Sequence, residues 1–200
     1  MRFLSQKSLR SVALLSLLAT AGAAQAHTGH GTSSLFEGLA HPLGADHLLA
    51  MVAVGLWSAK ALPADKVWQG PATFMLALVA SATLGMLGVS VPFLEPLIAL
   101  SVVLFGVLLV MSPLQVPVTL GLGLVAAAAS LHGLAHGAEA PVSGFATYAV
   151  GFLLTTAVLH ATGAAAGLGL RRYLARQSDW LLAAAGGLLG GAGLVMAASL

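Results

Sequence analysis

Six long apolar stretches, separated by short breaks, constrain the fold of this chain more than any other feature of its sequence. Each stretch runs for about 18 or more residues with few charges, which is the length that an α-helix needs to cross the hydrocarbon core of a bilayer. Proline, glycine and polar residues interrupt the pattern between them, as turns do. The stretches lie at 35–59, 70–90, 94–112, 116–136, 144–169 and 179–199.

The composition is that of a chain that lies in a membrane. Hydrophobic residues make up 58% of its 200 residues and charged residues 7%, against about 25% charged residues in a typical soluble domain. The mean hydropathy is +0.98. The predicted fold class is therefore all-α: a polytopic membrane protein in which six transmembrane helices form one compact bundle. There is no room for a second domain.

Residues 1–26 have the composition of a secretory signal peptide. A basic start precedes a short apolar core, and the stretch ends on the small residues of Ala24-Gln25-Ala26. We expect cleavage after Ala26, which makes residues 27–200 the mature six-helix domain; an uncleaved first transmembrane helix is the alternative. Without this leader, five Lys and Arg face six Asp and Glu, so the charge does not indicate a nucleic-acid partner.

The distribution of basic residues predicts the orientation of the bundle. Cytoplasmic loops of membrane proteins are enriched in Lys and Arg. If residue 27 lies outside the cytoplasm, the connections around 60–69 and 170–178 lie inside. These two connections hold all the basic residues that follow the leader: Lys60, Lys66, Arg171, Arg172 and Arg176. The leader and the charge bias therefore agree on placing both termini outside the cytoplasm.

Two imidazoles and a carboxylate stand at the head of the first apolar stretch: His41, Asp46 and His47. Ionisable groups are costly in a membrane helix and therefore indicate a function. Pro42 favours the first turn of a helix and an extended His41, so the spacing leaves open whether His41 and His47 converge. Asp46 either binds a cation directly or accepts the second ring N–H of a histidine. Alternatively, Asp46 and His47 only pair within the bundle.

A second cluster ends the fourth stretch. His132 and His136 are one helical turn apart, and Glu139 continues the same helical face. Two imidazoles and a carboxylate on one face suit a shared divalent cation. The chain has no cysteine, so thiolate ligands are excluded; imidazole and carboxylate suit nickel, cobalt, zinc or copper(II).

Four further residues are candidate metal ligands. His160 lies about 24 Å along the fifth stretch, at 1.5 Å per residue, and a structural hydrogen-bonded histidine is the competing explanation. Glu95 begins the third stretch, where the helix dipole alone accounts for a carboxylate. His27 and His30 would follow the cleavage site, where they either chelate an ion or form a polar tail. All the candidates except His160 fall in the predicted outer half, as expected of a site that captures an ion from outside.

These residues resemble the motifs of the HupE/UreJ permeases over essentially the whole chain. The resemblance rests on the leader and on four stretches: His41-Pro42-Leu43-Gly44-Ala45-Asp46-His47, Glu95-Pro96-Leu97-Ile98-Ala99-Leu100-Ser101, His132-Gly133-Leu134-Ala135-His136-Gly137, and His160 with Gly163. It implies secondary transport of Ni²⁺, or alternatively Co²⁺, across the bacterial inner membrane, with periplasmic termini, no permanently bound cofactor and no enzymatic activity. It also implies a metal pathway formed by His41, Asp46, His47, His132 and His136, with His160 and Glu95 as further members.

Two other functions stay open at this point. An intramembrane zinc-dependent hydrolase would use the same histidines and carboxylates to activate water. A haem-binding anchor explains the histidines but not the carboxylates. The partners expected for a transporter are a divalent metal ion and the lipid bilayer, and not nucleic acid. A second copy of the chain, as a homo-oligomer, and the maturation proteins of nickel enzymes are further candidates.

Overall fold

The computed structural model describes residues 35–114, 116–140 and 143–200, and all the regular secondary structure in this part of the chain is helical. This confirms the all-α fold class. Short 3₁₀ turns cover His41–Leu43, Ala64–Lys66 and Ser112–Leu114. The expected leader, His27 and His30 lie outside the described residues. The α-helices are α1 (Leu35–Ala40), α2 (Ala45–Ala61), α3 (Gln69–Met86), α4 (Leu94–Val110), α5 (Val118–Ala138), α6 (Phe145–Tyr173) and α7 (Ser178–Ala198).

Four helical segments in the described part are long and apolar enough to cross a membrane. They are Ala64–Met86, Val118–Ala138, Phe145–Tyr173 and Ser178–Ala198. A fifth candidate is the bent unit formed by α1, its 3₁₀ turn and α2, if the two halves count as one span. α4 is apolar but shorter, at 17 residues. The described residues therefore hold four to five candidate spans, and the count of six stays a prediction.

The first apolar stretch, 35–59, is two helices instead of one. Leu35–Leu43 and Ala45–Ala61 meet at an angle of 73°. Pro42 lacks a backbone N–H and lies in the 3₁₀ turn, and Gly44 after it is extended, with φ −54° and ψ 145°. The prediction of an extended His41 is therefore wrong: His41 belongs to the 3₁₀ turn, and the extended residue comes three positions later. Beyond the bend, α1 packs against α6.

Helix α2 lies at the centre of the bundle, in contact with α3, α4, α6 and α7. Small and apolar residues on all sides of it are buried, including Ala50, Met51, Ala53, Val54 and Ala59. A helix that is apolar all round is one that other helices surround. Any polar side chain at the start of α2 is therefore directed into protein.

Glycines line the closest helix crossings. Gly133 and Gly137 of α5 lie on the α3 backbone, Gly55 of α2 lies on that of α6 near Gly163, and Gly106 of α4 faces Gly186 of α7. A Cβ at any of these positions would collide with the facing chain. Small residues allow such close approach between membrane helices, where no hydrophobic drive brings helices together. The bundle is thus built from three closely packed pairs: α2 with α6, α3 with α5, and α4 with α7.

Basic residues gather at one end of the bundle. Lys60 Nζ lies 2.5 Å from Asp179 Oδ1, which joins the end of α2 to the start of α7. Arg171 Nη1 donates hydrogen bonds to the carbonyl oxygens of Ala59 and Leu62 at the end of α2. The last carbonyls of a helix have no partner within the helix, so this guanidinium caps α2. We call this the basic end.

Candidate metal centre

The opposite end of the bundle brings the start of α2 and the end of α5 together. His47 stands in the first turn of α2, and His132 and His136 stand in the last two turns of α5. Each α5 histidine is followed by a glycine, Gly133 or Gly137, that packs on α3. Successive residues are about 100° apart around a helix, so the histidines face α2 when the glycines face α3.

Three imidazoles converge there. His47, His132 and His136 each offer a ring nitrogen, and these atoms lie within 4.8 Å of one another. All three residues are buried, with exposed fractions of 2%, 0% and 8%. We call this set the histidine triad. It joins the two sequence clusters into one site.

One distance within the triad, between His132 and His47, fits two nitrogens that share an ion. His132 Nδ1 lies 3.3 Å from His47 Nε2, and His47 Nε2 also contacts His136 Nε2. Two nitrogens that bind one ion at about 2.0–2.1 Å are themselves about 2.9–3.4 Å apart for bond angles between 90° and 109°. The distance between His132 and His47 falls in this range.

Asp46 stands behind His47. Its Oδ2 lies 3.0 Å from His47 Nδ1, and both residues are buried. The negative charge of the carboxylate favours the tautomer with the ring proton on Nδ1, which leaves the Nε2 lone pair toward the triad. Metal-binding histidines are commonly held by a carboxylate in this way. Asp46 therefore stands where it can orient His47, and the same contact also fits the alternative in which the two residues only pair within the bundle.

His41 lies against the triad without belonging to it. Its ring centroid is 4.7 Å from that of His136 and 5.9 Å from that of His47, in edge contacts. The 3₁₀ turn therefore does bring His41 and His47 together, which the spacing had left open. Phe152 of α6 lies 4.9 Å from the His136 ring and 5.7 Å from the His41 ring, so it forms an apolar wall beside both.

His160 is separated from the triad by an aromatic ring. Phe74 of α3 lies 4.9 Å from His160 and 5.9 Å from His132, between ring centroids. His160 Nδ1 donates to the Thr156 carbonyl at 2.8 Å, while its buried Nε2 makes no hydrogen bond within the described residues. The backbone of His160 packs on Gly55, two helical turns beyond His47, or about 12 Å deeper at 1.5 Å per residue.

The two predicted glutamates are not members of the triad. Glu95 is half-buried in the first turn of α4, and Glu139 is exposed at the C-cap of α5. Their role as metal ligands stays a prediction. Sequence reasoning also missed three residues at the site, Phe74, Ser101 and Phe152, because each depends on how a helix is rotated. The single hydroxyl in the apolar run of α4 was a usable signal for Ser101.

Comparison with known proteins adds a family and a relative. The family model described as HupE / UreJ protein matches residues 15–196. Protein HupE of Rhizobium leguminosarum bv. viciae is 40% identical over 151 residues, which cover 74% of this chain and 78% of that protein. No solved structure matches the chain.

Proposed function

Because this chain belongs to the HupE/UreJ family, whose members are metal transporters and not enzymes, we propose that it carries Ni²⁺, with Co²⁺ as the second candidate, across the bacterial inner membrane through the histidine triad. Family membership confirms the resemblance seen in the motifs and the expectation that the chain is not an enzyme. It is a multi-pass membrane protein, and the zinc hydrolase is not retained as an alternative.

The convergence of the His47 and His132 nitrogens is the observation that carries the proposal. Asp46 holds the proton of His47 on the far ring nitrogen, which leaves the Nε2 lone pair directed at the triad. The triad residues are buried, with exposed fractions of 0–8%, and imidazole lone pairs that point at one another repel, so a cation or a proton among them stabilises the cluster. A divalent transition metal meets this requirement, and imidazole is among its preferred ligands.

The pathway that we propose begins at His41, beside the triad, and continues through the triad to His160. Phe74 separates these two positions. The deeper position offers one imidazole nitrogen, His160 Nε2, which no hydrogen bond within the described residues occupies. Glu95, Glu139, His27 and His30 remain candidates for capture ahead of the triad. The transported ion is cargo, and no resident cofactor is part of the mechanism.

In this proposal the histidine end faces the periplasm and the basic end faces the cytoplasm. The positive-inside rule supports this orientation, because the basic end has the helix ends and connections that contain Lys60, Lys66, Arg171, Arg172 and Arg176. The ion would then enter at the histidine end, where the candidate ligands lie, and leave at the basic end. The sequence has no phosphate-binding loop, so the energy would come from an ion gradient or from binding of nickel in the cytoplasm.

Uptake of ⁶³Ni²⁺ by cells that express the protein tests this proposal. We expect the wild type to accumulate nickel at submicromolar supply and His47→Ala to fall to the background of cells without the protein. Thr162→Val is a matched control, because Thr162 is exposed on α6 and bonds only to its own helix, through the Val158 carbonyl. Equal accumulation by wild type and His47→Ala would contradict the proposal.

A further inference from the structure

Ser101 is the one hydroxyl-bearing residue of α4, and it is buried, with an exposed fraction of 4%. Its Oγ lies 2.7 Å from the carbonyl oxygen of Ile98, one turn earlier in the same helix. Serine in an apolar helix often satisfies its hydroxyl in this way. Here the same Oγ also lies 2.9 Å from Nε2 of His132, on a different helix.

These two contacts favour one arrangement of the protons. A serine hydroxyl has one proton, and a carbonyl oxygen only accepts, so the contact with Ile98 takes the Ser101 proton. Ser101 Oγ can then only accept from His132, which requires the proton of His132 to be on Nε2. The lone pair of His132 is therefore on Nδ1, the atom that lies 3.3 Å from His47 Nε2.

We propose that Ser101 is a positioning residue for metal binding: it selects the tautomer of His132 that directs the Nδ1 lone pair into the histidine triad. The inference rests on the proposed function and adds to it a residue that touches no ion. In this arrangement His47 binds through Nε2 with Asp46 behind it, and His132 binds through Nδ1 with Ser101 behind it. One imidazole is held by a charged acceptor and the other by a neutral one.

Loss of the hydroxyl would have a specific consequence. Without the Ser101 hydroxyl, a proton on His132 Nε2 would lose that acceptor, and a buried donor that loses its acceptor is costly. The other tautomer would place the proton on Nδ1, from where it can be donated to His47 Nε2. A hydrogen bond between the two histidines would then occupy the lone pair that the ion needs, and nickel would have to displace it.

The test compares Ser101→Thr with Ser101→Val, which have nearly the same shape and differ in the hydroxyl. Substitution of a residue that supports a metal ligand typically lowers metal affinity or activity about 10–100-fold. We therefore expect Ser101→Val to bind Ni²⁺ at least about tenfold more weakly than Ser101→Thr, by titration calorimetry of the purified protein in detergent. ⁶³Ni²⁺ uptake should fall in parallel, and Ser101→Thr should stay near wild type.

A spectroscopic measurement separates positioning from a general structural role. Nitrogen-15 NMR of the metal-free protein reports which ring nitrogen of a histidine is protonated, and His132→Gln identifies the signals of His132. We expect protonated Nε2 in the wild type and in Ser101→Thr, and a shift toward protonated Nδ1 in Ser101→Val. A Ser101→Val protein with an unchanged tautomer and unchanged nickel affinity would overturn the inference.

Three further outcomes have a defined meaning. If Ser101→Val does not fold, Ser101→Ala replaces it in comparison with the wild type, under the same expectations. If the wild type takes up no nickel but the tautomer and the nickel affinity respond to Ser101→Val, the proposed transport fails while the role of Ser101 stands. If uptake depends on His47 but not on the Ser101 hydroxyl, transport stands and the role of Ser101 fails.

Discussion

Two imidazoles of the triad, His47 and His132, are neutral ligands, and each has an acceptor behind it that directs a lone pair toward a cation. His47 is backed by the carboxylate of Asp46 at 3.0 Å, and His132 is backed by the hydroxyl of Ser101 at 2.9 Å. Asp46 therefore brings a negative charge into direct contact with His47, a member of the triad. The carboxylate of Asp46 offsets part of the charge of a divalent ion bound at the triad.

Asp46→Asn tests the contribution of that charge. Asparagine keeps the shape and can still accept the His47 ring N–H through its amide oxygen, but it is neutral. We expect nickel affinity to fall about tenfold, because partners behind a metal ligand tune its basicity. Calorimetric titration of purified protein measures the change. Asp179→Asn is the control, since Asp179 is exposed at the basic end, and a similar loss in both variants would contradict a specific role.

His160→Leu tests whether the deeper imidazole serves transport. Its Nε2 is buried without a hydrogen bond in the described residues, and such an atom costs about 1–3 kcal/mol, so leucine should leave the thermal unfolding temperature equal or higher. We expect ⁶³Ni²⁺ uptake to fall severalfold while calorimetric nickel affinity at the triad stays unchanged. Unchanged uptake in a stable His160→Leu protein would make His160 a structural residue.

At the scale of helices, the apolar runs were sufficient to locate most elements. α5, α6 and α7 begin and end within a few residues of the predicted limits, because long apolar segments leave the helix as the one conformation that satisfies the backbone in lipid. The geometry of the turn between His41 and Gly44 was not predictable, because Pro42 and Gly44 together allow several turns. The pairing of His132 with His136 followed from helical spacing, whereas their contact with His47 required the packing of α2 on its neighbours.

Glycine crossings hold α5 in register with α3, and Gly137→Ala tests this. A Cβ at Gly137 would collide with the backbone of Ala82, and excess volume in a packed interior typically costs about 1–3 kcal/mol. Thermal unfolding in detergent should show the loss. Gly123→Ala on the same helix is the matched control, because a Cβ there meets nothing within 4 Å, and alanine should stabilise the helix slightly. Equal effects of the two variants would show that the crossing tolerates a methyl group.

At the scale of the whole molecule, the two ends of the bundle differ in chemistry. One end holds the histidine triad, and the other holds all the basic residues of the described part, with Arg171 capping α2 and Lys60 paired with Asp179. This asymmetry was visible in the sequence. Successive connections of a bundle of spanning helices lie at alternating ends, so the two basic connections were expected at the same end. We propose that the histidine end faces the periplasm, on the basis of the positive-inside rule.

Cysteine labelling tests the orientation, and the natural chain suits it because it has no cysteine. Ser143→Cys places an exposed thiol beside the histidine end, and Gln177→Cys places one at the basic end. We expect a membrane-impermeant maleimide to label Ser143→Cys in spheroplasts and to label Gln177→Cys only after the membrane is opened. The reverse pattern would invert the proposed topology, and both variants should retain nickel uptake.

The three glycine-lined helix pairs have a consequence for how coordination can change. His47 belongs to the pair of α2 and α6, His132 and His136 to the pair of α3 and α5, and Ser101 to the pair of α4 and α7. Each pair is packed backbone against backbone and would move as one body, as in shear motions between packed helices. A slide of a few ångströms between pairs would therefore alter the number of nitrogens around an ion while every helix stays intact.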